Sequence, residues 1–431
     1  MLISFNWLKN YIDLDESPEE VASILTNTGL EVEGLARVAN RERIDKNVVV
    51  AETREVKTHP NADRLKVTRV FDGNEEYQVV CGAPNVAKGQ KVVLARVGSR
   101  LSIEGKSLKI KKAKMRGELS EGMLCAKDEI GTGTDHSGIY ILPDDAPLGK
   151  SLEDYLPIEE DFQLEIAITP NRMDAVSHIG VARDLAAYLG REIKYPKVRE
   201  IPFDNEKFPI SIQINETEAC KRYAGAVVRN VKVKESPEWL RNYLETIGLT
   251  PINNIVDISN FVMYELGHPL HTFDLAELSD QKVIIGYSKK GNSYTALDGK
   301  ERKLNGTELM IQNTTDNIAM AGIMGAEHSG ISKETKDVFI ESAYFDPIVI
   351  RKSSKAHLLN TDASFRYERG ADPNIVLDAL YRAVDLIEEL SEGQADPVVS
   401  DVYPELIKPE VIKVEHHYIL SILGTNIEKN E

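Results

Sequence analysis

Two histidines and an aspartate lie at three-residue intervals in the stretch ELGHPLHTFD. Imidazole and carboxylate groups are common metal ligands, so His268, His271 and Asp274 first suggest a metal site. Gly267 is expected to end the preceding helix, and the proline that follows His268 prevents its continuation, so the two histidines do not share a helix face. On extended backbone, residues three apart point to opposite sides. The spacing therefore disfavours a metal centre, and the HExxH pattern of zinc hydrolases does not occur.

Glu341 stands in the otherwise apolar stretch VFIESAYF. A charged side chain in a strand is usually at a sheet edge or in an ion pair, because burying it alone is costly. His268 and His271 likewise have a structural interpretation, as residues that pack a loop. The residue types alone therefore leave both a site and an ordinary structural role open.

Two further polar stretches carry a similar choice. GIMGAEHSG contains Gly322, Gly325 and Gly330, at a spacing that fits neither GxGxxG nor a phosphate-binding Walker loop. Tight turns are their simplest role, although exposed backbone N–H groups at such turns also hold ligands. TDASFRYERG suggests a polar loop, or the lead-in to a helix, around Thr361 and Asp362.

The net charge of −17 conceals a basic segment. Residues 41–130 contain 19 Lys and Arg against 13 Asp and Glu, a net of +6, whereas the rest of the chain contains 33 against 56, a net of −23. Six cations lie within eleven residues: Lys106, Lys109, Lys111, Lys112, Lys114 and Arg116. Such a cluster is either a solvated face or a surface for a polyanion such as nucleic acid.

The composition describes a multidomain protein of ordinary globular type. With 431 residues, 42% hydrophobic and 28% charged, the chain exceeds what one core organises, so about three domains are expected. No run of about 18 apolar residues predicts a membrane span, and the first twenty residues do not read as a secretory signal. Three scattered cysteines, Cys81, Cys125 and Cys220, fit a reducing cytoplasm and argue against a disulfide framework.

Helical patterns flank a β-rich segment in the first half of the chain. Ser17, Pro18 and Glu20 predict a capping box at a helix start, and Gly29 predicts its end. From residue 47, short β-branched runs separated by turn residues predict a small barrel or sandwich. The stretch TPNRMDAVSHIGVARDLAAYLG then predicts a helix, and a proline-spaced charged linker ends near residue 205.

The second half mixes strands and helices. SPEWLRNYLETIG repeats the Ser-Pro start, and NNIVDISNFVMYELG predicts a buried helix. Several apolar runs, VFIESAYF among them, predict strands, and one hairpin is expected over Asp298 and Gly299. Asp346-Pro347 and Asp372-Pro373 are each expected to open a helix. A last helical pattern near Val414 has little chain after it, which suggests a truncated domain.

Taken together, the motifs resemble a known family. HPNADRLKV, QVVCGAPNV, KIKKAKMRG and SEGMLCAKDEIG look like the tRNA-binding OB domain of synthetase-associated proteins. TPNRMDAVSHIGVARDLAA, NNIVDISNFVMYELGHPLHTFD, AMAGIMGAEHSGI, VFIESAYF and TDASFRYERGADP resemble the β subunit of bacterial phenylalanyl-tRNA synthetase, in the same order and from Met1 onward. That family's chain is longer than this one.

The resemblance implies a multidomain α+β fold. An OB-fold β-barrel, residues 41–151, would be inserted in an N-terminal α/β module formed by residues 1–40 and 152–204. A mixed α+β editing domain would occupy residues 205–395, and residues 396–431 would begin a truncated domain. The partners implied are tRNA(Phe) and the α subunit, in a heterotetramer of two α and two β chains in the cytoplasm. ATP and Mg are expected for the complete αβ enzyme, with no cofactor, no metal and no membrane contact for this chain.

The resemblance also implies roles for individual residues. Phenylalanine activation would reside in the α subunit, whereas the β subunit hydrolyses tyrosine wrongly attached to tRNA(Phe). The editing histidine falls on His271, the carboxylate that recognises the tyrosine hydroxyl on Glu341, and the glycine whose backbone assists on Gly325. Thr361 and Ala363 fall in the same pocket, and the cations of residues 106–116 would contact tRNA. His268 matches no assigned role.

Two other functions stay open at this point. The chain would be a non-catalytic module if the barrel docks tRNA and the second half only scaffolds the α subunit. It would be a metal-dependent hydrolase if His268 and His271 held an ion after all, which analysis of bound metal decides.

Overall fold

The computed structural model describes residues 1–39, 43–103, 106–133, 135–156 and 158–429. The chain divides into two compact units: unit 1, Met1–Leu35 with Leu164–Glu431, and unit 2, Ala36–Gln163. The domain border expected between residues 40 and 41, and the last two residues of the expected segment 396–431, lie outside the described residues.

Unit 2 is inserted between two stretches of unit 1. The first stretch of unit 1 contributes β1 (Leu2–Ser4), α1 (Phe5–Leu8), α2 (Pro18–Asn27) and β2 (Val32–Ala39), which continues into unit 2. Unit 2 contains β3 (Val48–His59), β4 (Ala62–Phe71), β5 (Glu76–Cys81), β6 (Lys91–Arg96), β7 (Arg100–Ile103), β8 (Lys106–Lys109), β9 (Ala113–Met115), β10 (Glu118–Ser120), β11 (Gly122–Leu124), β12 (Ile141–Leu142), α3 (Leu152–Tyr155) and the start of β13 (Glu160–Ile166).

The second stretch of unit 1 holds the larger set of elements. They are α4 (His178–Leu189), β14 (Ser211–Ile214), β15 (Cys220–Arg229), α5 (Glu238–Thr246), α6 (Asn254–Leu266), β16 (Leu270–Asp274), β17 (Lys282–Tyr287), β18 (Ser293–Thr295), β19 (Glu301–Lys303), β20 (Leu309–Gln312), β21 (Asn317–Met320), β22 (Met324–Gly325), β23 (Val338–Phe345), α7 (Pro347–His357), α8 (Asp362–Tyr367), α9 (Val376–Ser391), β24 (Gln394–Ala395), β25 (Ser400–Val402) and α10 (His416–Leu423). Single 3₁₀ turns occur in unit 2 at Asp128–Ile130. In the second stretch of unit 1 they occur at Met173–Ala175, Leu275–Glu277, Ser279–Gln281 and Glu327–Ser329.

Unit 2 is built on a nearly closed β-sheet. Its strands follow the order β11-β6-β3-β4-β5, and β12 also pairs with β6. The two edges meet because the Glu121 N–H donates to the Gln78 carbonyl at 2.8 Å, and the Val80 N–H donates to Ser120 Oγ at 3.1 Å. Successive residues of β3 point into two separate apolar clusters on opposite faces of the sheet. The β-rich prediction for this segment is confirmed.

Two sheets and a helical layer form the larger part of unit 1. One sheet has the order β14-β17-β20-β21-β22, and the other has the order β16-β23-β15-β24, with β25 also on β15. Side chains from both sheets share one apolar core, so the sheets lie face to face. Helices α6 and α9 contact the second sheet, and Ser342 Oγ on β23 donates to the Val376 carbonyl of α9 at 2.7 Å. The mixed α+β organisation is therefore confirmed.

Helix ends follow the sequence signals at several positions. Ser17 and Glu20 form the expected capping box of α2. Asn253 caps α6, whose buried residues cover most of its circumference, and Gly267 ends it in the left-handed conformation with φ +83°. Asp346 caps α7 as expected. Because Gly267 ends α6, β16 begins only three residues later, at Leu270.

Two local expectations are wrong. Ser236 does not cap α5, which follows Pro237; its hydroxyl donates instead to the buried carboxylate of Asp257 at 2.5 Å. Asp372 does not open α9, because its carboxylate closes a turn on the Asn374 N–H and the helix begins at Val376. Of the two interpretations left open for the stretch around Thr361, a polar loop or the lead-in to a helix, the second is confirmed, because Thr361 caps α8.

No helix in the described part of the chain is both long enough and apolar enough to cross a membrane.

Gly225 on β15 is predicted to stabilise the packing of the two sheets of unit 1, because a side chain at this position would have no room. An added Cβ would lie 2.5 Å from the Phe339 ring and 3.3 Å from Ile212, so Gly225→Ala should cost about 1–3 kcal/mol through overpacking. Gly286→Ala is the matched control, since its nearest neighbours lie 3.7 Å away and a strand alanine is favoured over glycine by roughly 0.5–1 kcal/mol. Urea unfolding measures both, and equal effects would contradict the packing argument.

Candidate functional site

The register of two strands brings the main predicted residues together. In the antiparallel pairing of β16 with β23, His271 lies directly opposite Glu341. Directly opposed residues project from the same face of a sheet, with Cβ atoms about 4.5–5.5 Å apart. On the other side of Glu341, the position opposite on β15 is Gly225, which has no side chain. The face they share is the one that packs against the other sheet.

Glu341 is a buried carboxyl, 5% exposed, among apolar neighbours. The Tyr223 hydroxyl donates to its Oε2 at 2.7 Å. Burial raises the pKa of Glu341 to about 7, and the hydrogen bond from Tyr223 opposes that rise. The group therefore changes charge near neutral pH, whereas an exposed glutamate would be ionised throughout that range.

His271 lies beside it as a neutral base. Burial lowers the pKa of the His271 imidazole to about 4, so the ring is uncharged at pH 7. Its Nε2 atom is buried and has no hydrogen-bond partner among the described residues. The ring packs edge-on against Phe273, with centroids 4.5 Å apart. A neutral imidazole with a free nitrogen can position a water molecule or a hydroxyl group.

Two glycines let β22 and the turn before it pack closely against this site. A Cβ on Gly325 would lie 2.7 Å from Cε1 and Nε2 of His271, so any side chain there would displace the imidazole. A Cβ on Gly322 would lie 2.7 Å from the Tyr367 ring, and its φ of +63° also favours glycine. The interpretation as a turn residue is confirmed for Gly322, in the turn at residues 321–323, whereas Gly325 lies in β22 and contacts a candidate site residue.

Thr361 and Ala363 lie at the start of α8, next to the same turn. Thr361 Oγ1 accepts the Ser364 N–H as the helix cap and donates to the Ile323 carbonyl at 3.0 Å. Ala363 lines the cavity, whereas Thr361 does not; Thr361 instead ties the helix to the turn at residues 321–323, which contains Gly322.

The cavity enclosed by these residues is small, about 50 Å³. That volume accommodates a few water molecules, and an aromatic ring would have to displace lining side chains. The lining residues are Pro269, Leu270, His271, Ala319, Met320, Ala321, Gly322, Ile323, Met324, Gly325, Glu341, Ala363 and Tyr367. A cavity of about 540 Å³ lies elsewhere in unit 1, between the start of α4 and residues 370–378, but no predicted site residue lines it.

The metal hypothesis finds no support from the placement of the three residues that suggested it. His268 is fully buried and packs edge-on against Tyr367, while Asp274 accepts the Ala276 N–H and the Thr335 hydroxyl. Within the described residues, no group of three or more His, Cys, Asp or Glu is arranged to hold a metal ion.

The basic cluster of unit 2 is a surface feature. All six cations of residues 106–116 are exposed, on β8, on β9 and in the segments that follow them. Lys112 Nζ lies 2.8 Å from Glu121 Oε1, so part of its charge is compensated. Leu108 and Met115 are also exposed, at 44% and 41%, among the cations.

The sequence interpretation missed Tyr223 and Tyr367, which both reach the centre of the site. Tyr367 lines the cavity and donates to the Ala343 carbonyl at 3.1 Å. Neither tyrosine has a sequence signal: Tyr223 is one aromatic residue in the strand CKRYAGAVVR, and Tyr367 lies in the polar stretch TDASFRYERG. Only the pairing of β15 with β23 shows that Tyr223 reaches Glu341.

Comparisons with known proteins cover almost the entire chain. Residues 219–392 match the family model of the B3/4 domain, and residues 48–151 match that of a putative tRNA binding domain. The chain is 46% identical over 430 residues to the phenylalanine–tRNA ligase β subunit of Bacteroides fragilis, covering 98% of this chain and 52% of that protein. For the same subunit of Syntrophus aciditrophicus the identity is 43% over 433 residues, covering 100% of this chain and 53% of that protein.

Among solved structures, an N-terminal fragment of the phenylalanyl-tRNA synthetase β subunit from Pyrococcus horikoshii matches with a TM-score of 0.30 and 16% identity, covering 63% of this chain and 75% of that one. The chain spans about half the length of the curated relatives it matches. Identities of 41–46% along nearly all of its residues show that it belongs to the family of phenylalanine–tRNA ligase β subunits.

Proposed function

We propose that this chain is the part of a phenylalanine–tRNA ligase β subunit that binds tRNA and hydrolyses Tyr-tRNA(Phe). The observation that carries the proposal is the direct opposition of His271 and Glu341 across β16 and β23, at a cavity lined also by Gly325 and Ala363. The nearly closed sheet of unit 2 is proposed to be an OB-fold barrel, followed by an editing domain built on the two facing sheets of unit 1.

The chemistry explains why a second site is needed. Tyrosine is phenylalanine plus one hydroxyl group. An apolar pocket that selects phenylalanine for attachment to tRNA discriminates against the added hydroxyl by a factor of only about 10². A site that hydrogen-bonds the hydroxyl discriminates in the opposite direction by as much as about 10⁴–10⁵, since phenylalanine leaves the polar group unpaired. A buried carboxyl in an apolar wall, as at Glu341, suits that role.

Hydrolysis itself demands little of the protein. The ester that joins an amino acid to the tRNA ribose is already activated, so a positioned water is sufficient. His271 is proposed to orient that water, or the ribose, through its free Nε2, while the Gly325 backbone contacts the ligand. Met320 and Met324 line the cavity, and their adaptable side chains would make room for the tyrosine ring.

The complete enzyme is proposed to pair this subunit with an α subunit that activates phenylalanine with ATP and Mg. A heterotetramer of two α and two β chains in the cytoplasm, acting on tRNA(Phe), is the proposed assembly. The alternative of a tRNA-binding scaffold without editing activity is separated from this proposal by the following experiment.

Replacing Glu341 and His271 separately should distinguish recognition from chemistry. In the complete ligase, Glu341→Ala should slow hydrolysis of Tyr-tRNA(Phe) about ten- to a hundred-fold, since a hydrogen bond to a charged group contributes roughly 1.5–3 kcal/mol. The preference for tyrosine should collapse with the rate, while Phe-tRNA(Phe) synthesis stays intact. His271→Ala should slow hydrolysis but keep the preference. Glu327→Ala, at an exposed carboxylate close to Gly325 in the chain, is the control. Hydrolysis by Glu341→Ala at the parent rate would favour the scaffold alternative.

The basic cluster of unit 2 should contribute to tRNA affinity through phosphate contacts. Reversing Lys111, Lys112 and Lys114 to Glu should weaken binding to the complete ligase with little dependence on tRNA sequence. The log–log salt slope should become shallower, by about 0.7–0.9 for each phosphate that is no longer neutralised. Lys112→Glu alone should have the smallest effect, because Glu121 already pairs with it.

The control for this test reverses three exposed lysines of unit 1, Lys333, Lys336 and Lys352, which changes the net charge equally. Equal losses of affinity in the two triple variants, measured by filter binding at several salt concentrations, would show that only the total charge matters.

A further inference from the structure

One hydroxyl group supplies the hydrogen bond that the buried carboxyl receives. Tyr223 Oη lies 2.7 Å from Glu341 Oε2, and no other hydrogen bond to either group occurs among the described residues. Tyr223 is fully buried and Glu341 is 5% exposed. Glu341 also lines the cavity, so the carboxyl lies between an internal phenol and the space available to a ligand.

Among the described residues, the Tyr223 hydroxyl has one hydrogen-bond acceptor, the Glu341 carboxyl. Burial, and the proximity of Glu341, raise the pKa of Tyr223 well above its usual value, so the hydroxyl stays protonated near neutral pH. A buried hydroxyl without an acceptor is costly, and Glu341 is the acceptor within reach. One carboxyl oxygen is therefore committed to Tyr223, and the other remains for a ligand.

We propose that Tyr223 is a positioning residue for tyrosine selection, which holds one oxygen of Glu341 and directs the other toward the substrate phenol. This inference rests on the proposed function of the cavity. A bound tyrosyl group would then give the carboxylate a second phenolic donor, whereas a phenylalanyl group would give it none.

Among Glu341 and the titratable groups packed around it, Glu341 is the one whose pKa lies near 7. Tyr223 and Cys220 on β15 and Tyr367 on α8 all have pKa values raised well above the usual by burial, so they stay protonated and uncharged. His271 on β16 has its pKa lowered to about 4 and is also uncharged. Burial raises the pKa of Glu341 to about 7 against the opposing hydrogen bond from Tyr223.

Removing the Tyr223 hydroxyl should therefore change the pH at which selection operates. A carboxyl whose folded-state pKa is raised loses its proton only as the pH rises through that value. Without Tyr223 the proton is held to higher pH, and a protonated carboxyl is a weaker acceptor for a phenol than a carboxylate. The defect should be large at neutral pH and small in alkaline solution.

The test follows hydrolysis of Tyr-tRNA(Phe) and Phe-tRNA(Phe) by the complete ligase between pH 5.5 and 9, with spontaneous hydrolysis subtracted. The parent enzyme should gain tyrosine-selective activity with a midpoint near pH 7. Tyr223→Phe should move the midpoint up by about one to two pH units, a loss of about 5- to 50-fold at pH 7. Glu341→Gln should remove the pH dependence of selection.

Tyr294→Phe is the matched control. Tyr294 is also buried in unit 1, and its hydroxyl has no hydrogen-bond partner among the described residues, so its removal should leave the midpoint in place. Replacing Tyr223 by 3-fluorotyrosine keeps the ring and the hydroxyl, and thus the fold, but gives a stronger donor. That variant should move the midpoint downward.

The outcomes separate the two proposals. A parent enzyme that hydrolyses both aminoacyl-tRNAs equally contradicts the proposed function. A selective parent with unchanged midpoints in both the Tyr223→Phe and the 3-fluorotyrosine enzymes overturns the role of Tyr223 alone. A Tyr223→Phe enzyme that loses the same factor at every pH overturns it too, because that result describes a packing defect.

Discussion

The burial of one carboxyl group between two apolar sheets is the constraint on which the rest of the site depends. An isolated charge in such a place is strongly unfavourable, and a single hydrogen bond from Tyr223 offsets only part of that cost. The remaining cost raises the pKa of Glu341, so this carboxyl holds its proton more tightly than an exposed glutamate does. A ligand with a hydroxyl group would donate a second hydrogen bond to this carboxyl, which is the physical basis of the proposed selection for tyrosine.

The residues around this carboxyl shape the site in two ways: glycines leave space because they have no side chain, and other residues make contacts that hold the site together. Gly225 leaves the position opposite Glu341 empty, and the Phe339 ring fills that space. Gly325 allows strand β22 to lie against His271. Thr361 secures the turn before this strand through the Ile323 carbonyl. Each of these contacts joins elements that are far apart in the chain, so the site forms only when the two sheets have packed.

Sequence reasoning recovered the parts of this arrangement that have local causes. The capping box of α2, the glycine stops, strands and the hairpin over Gly299 follow from nearest neighbours along the chain, and the structure confirms them. The resemblance supplied His271 and Glu341 as candidates, but their opposition across two strands is a property of register that no local pattern encodes. Tyr223 was missed for the same reason. The errors at Ser236 and Asp372 arose where a side chain found a tertiary or turn partner instead of capping a helix.

The antiparallel register of β16 and β23 also governs how this region tolerates changes in chain length. Side chains alternate between the two faces of a strand, so inserting or deleting one residue exchanges the faces of all that follow. In β16 such a slip would bring Thr272 to the place of His271 and bury the imidazole under the helical layer. A change of length in the loops that join these strands would therefore leave the pairing of His271 with Glu341 in place, whereas a one-residue slip within the strands would remove it.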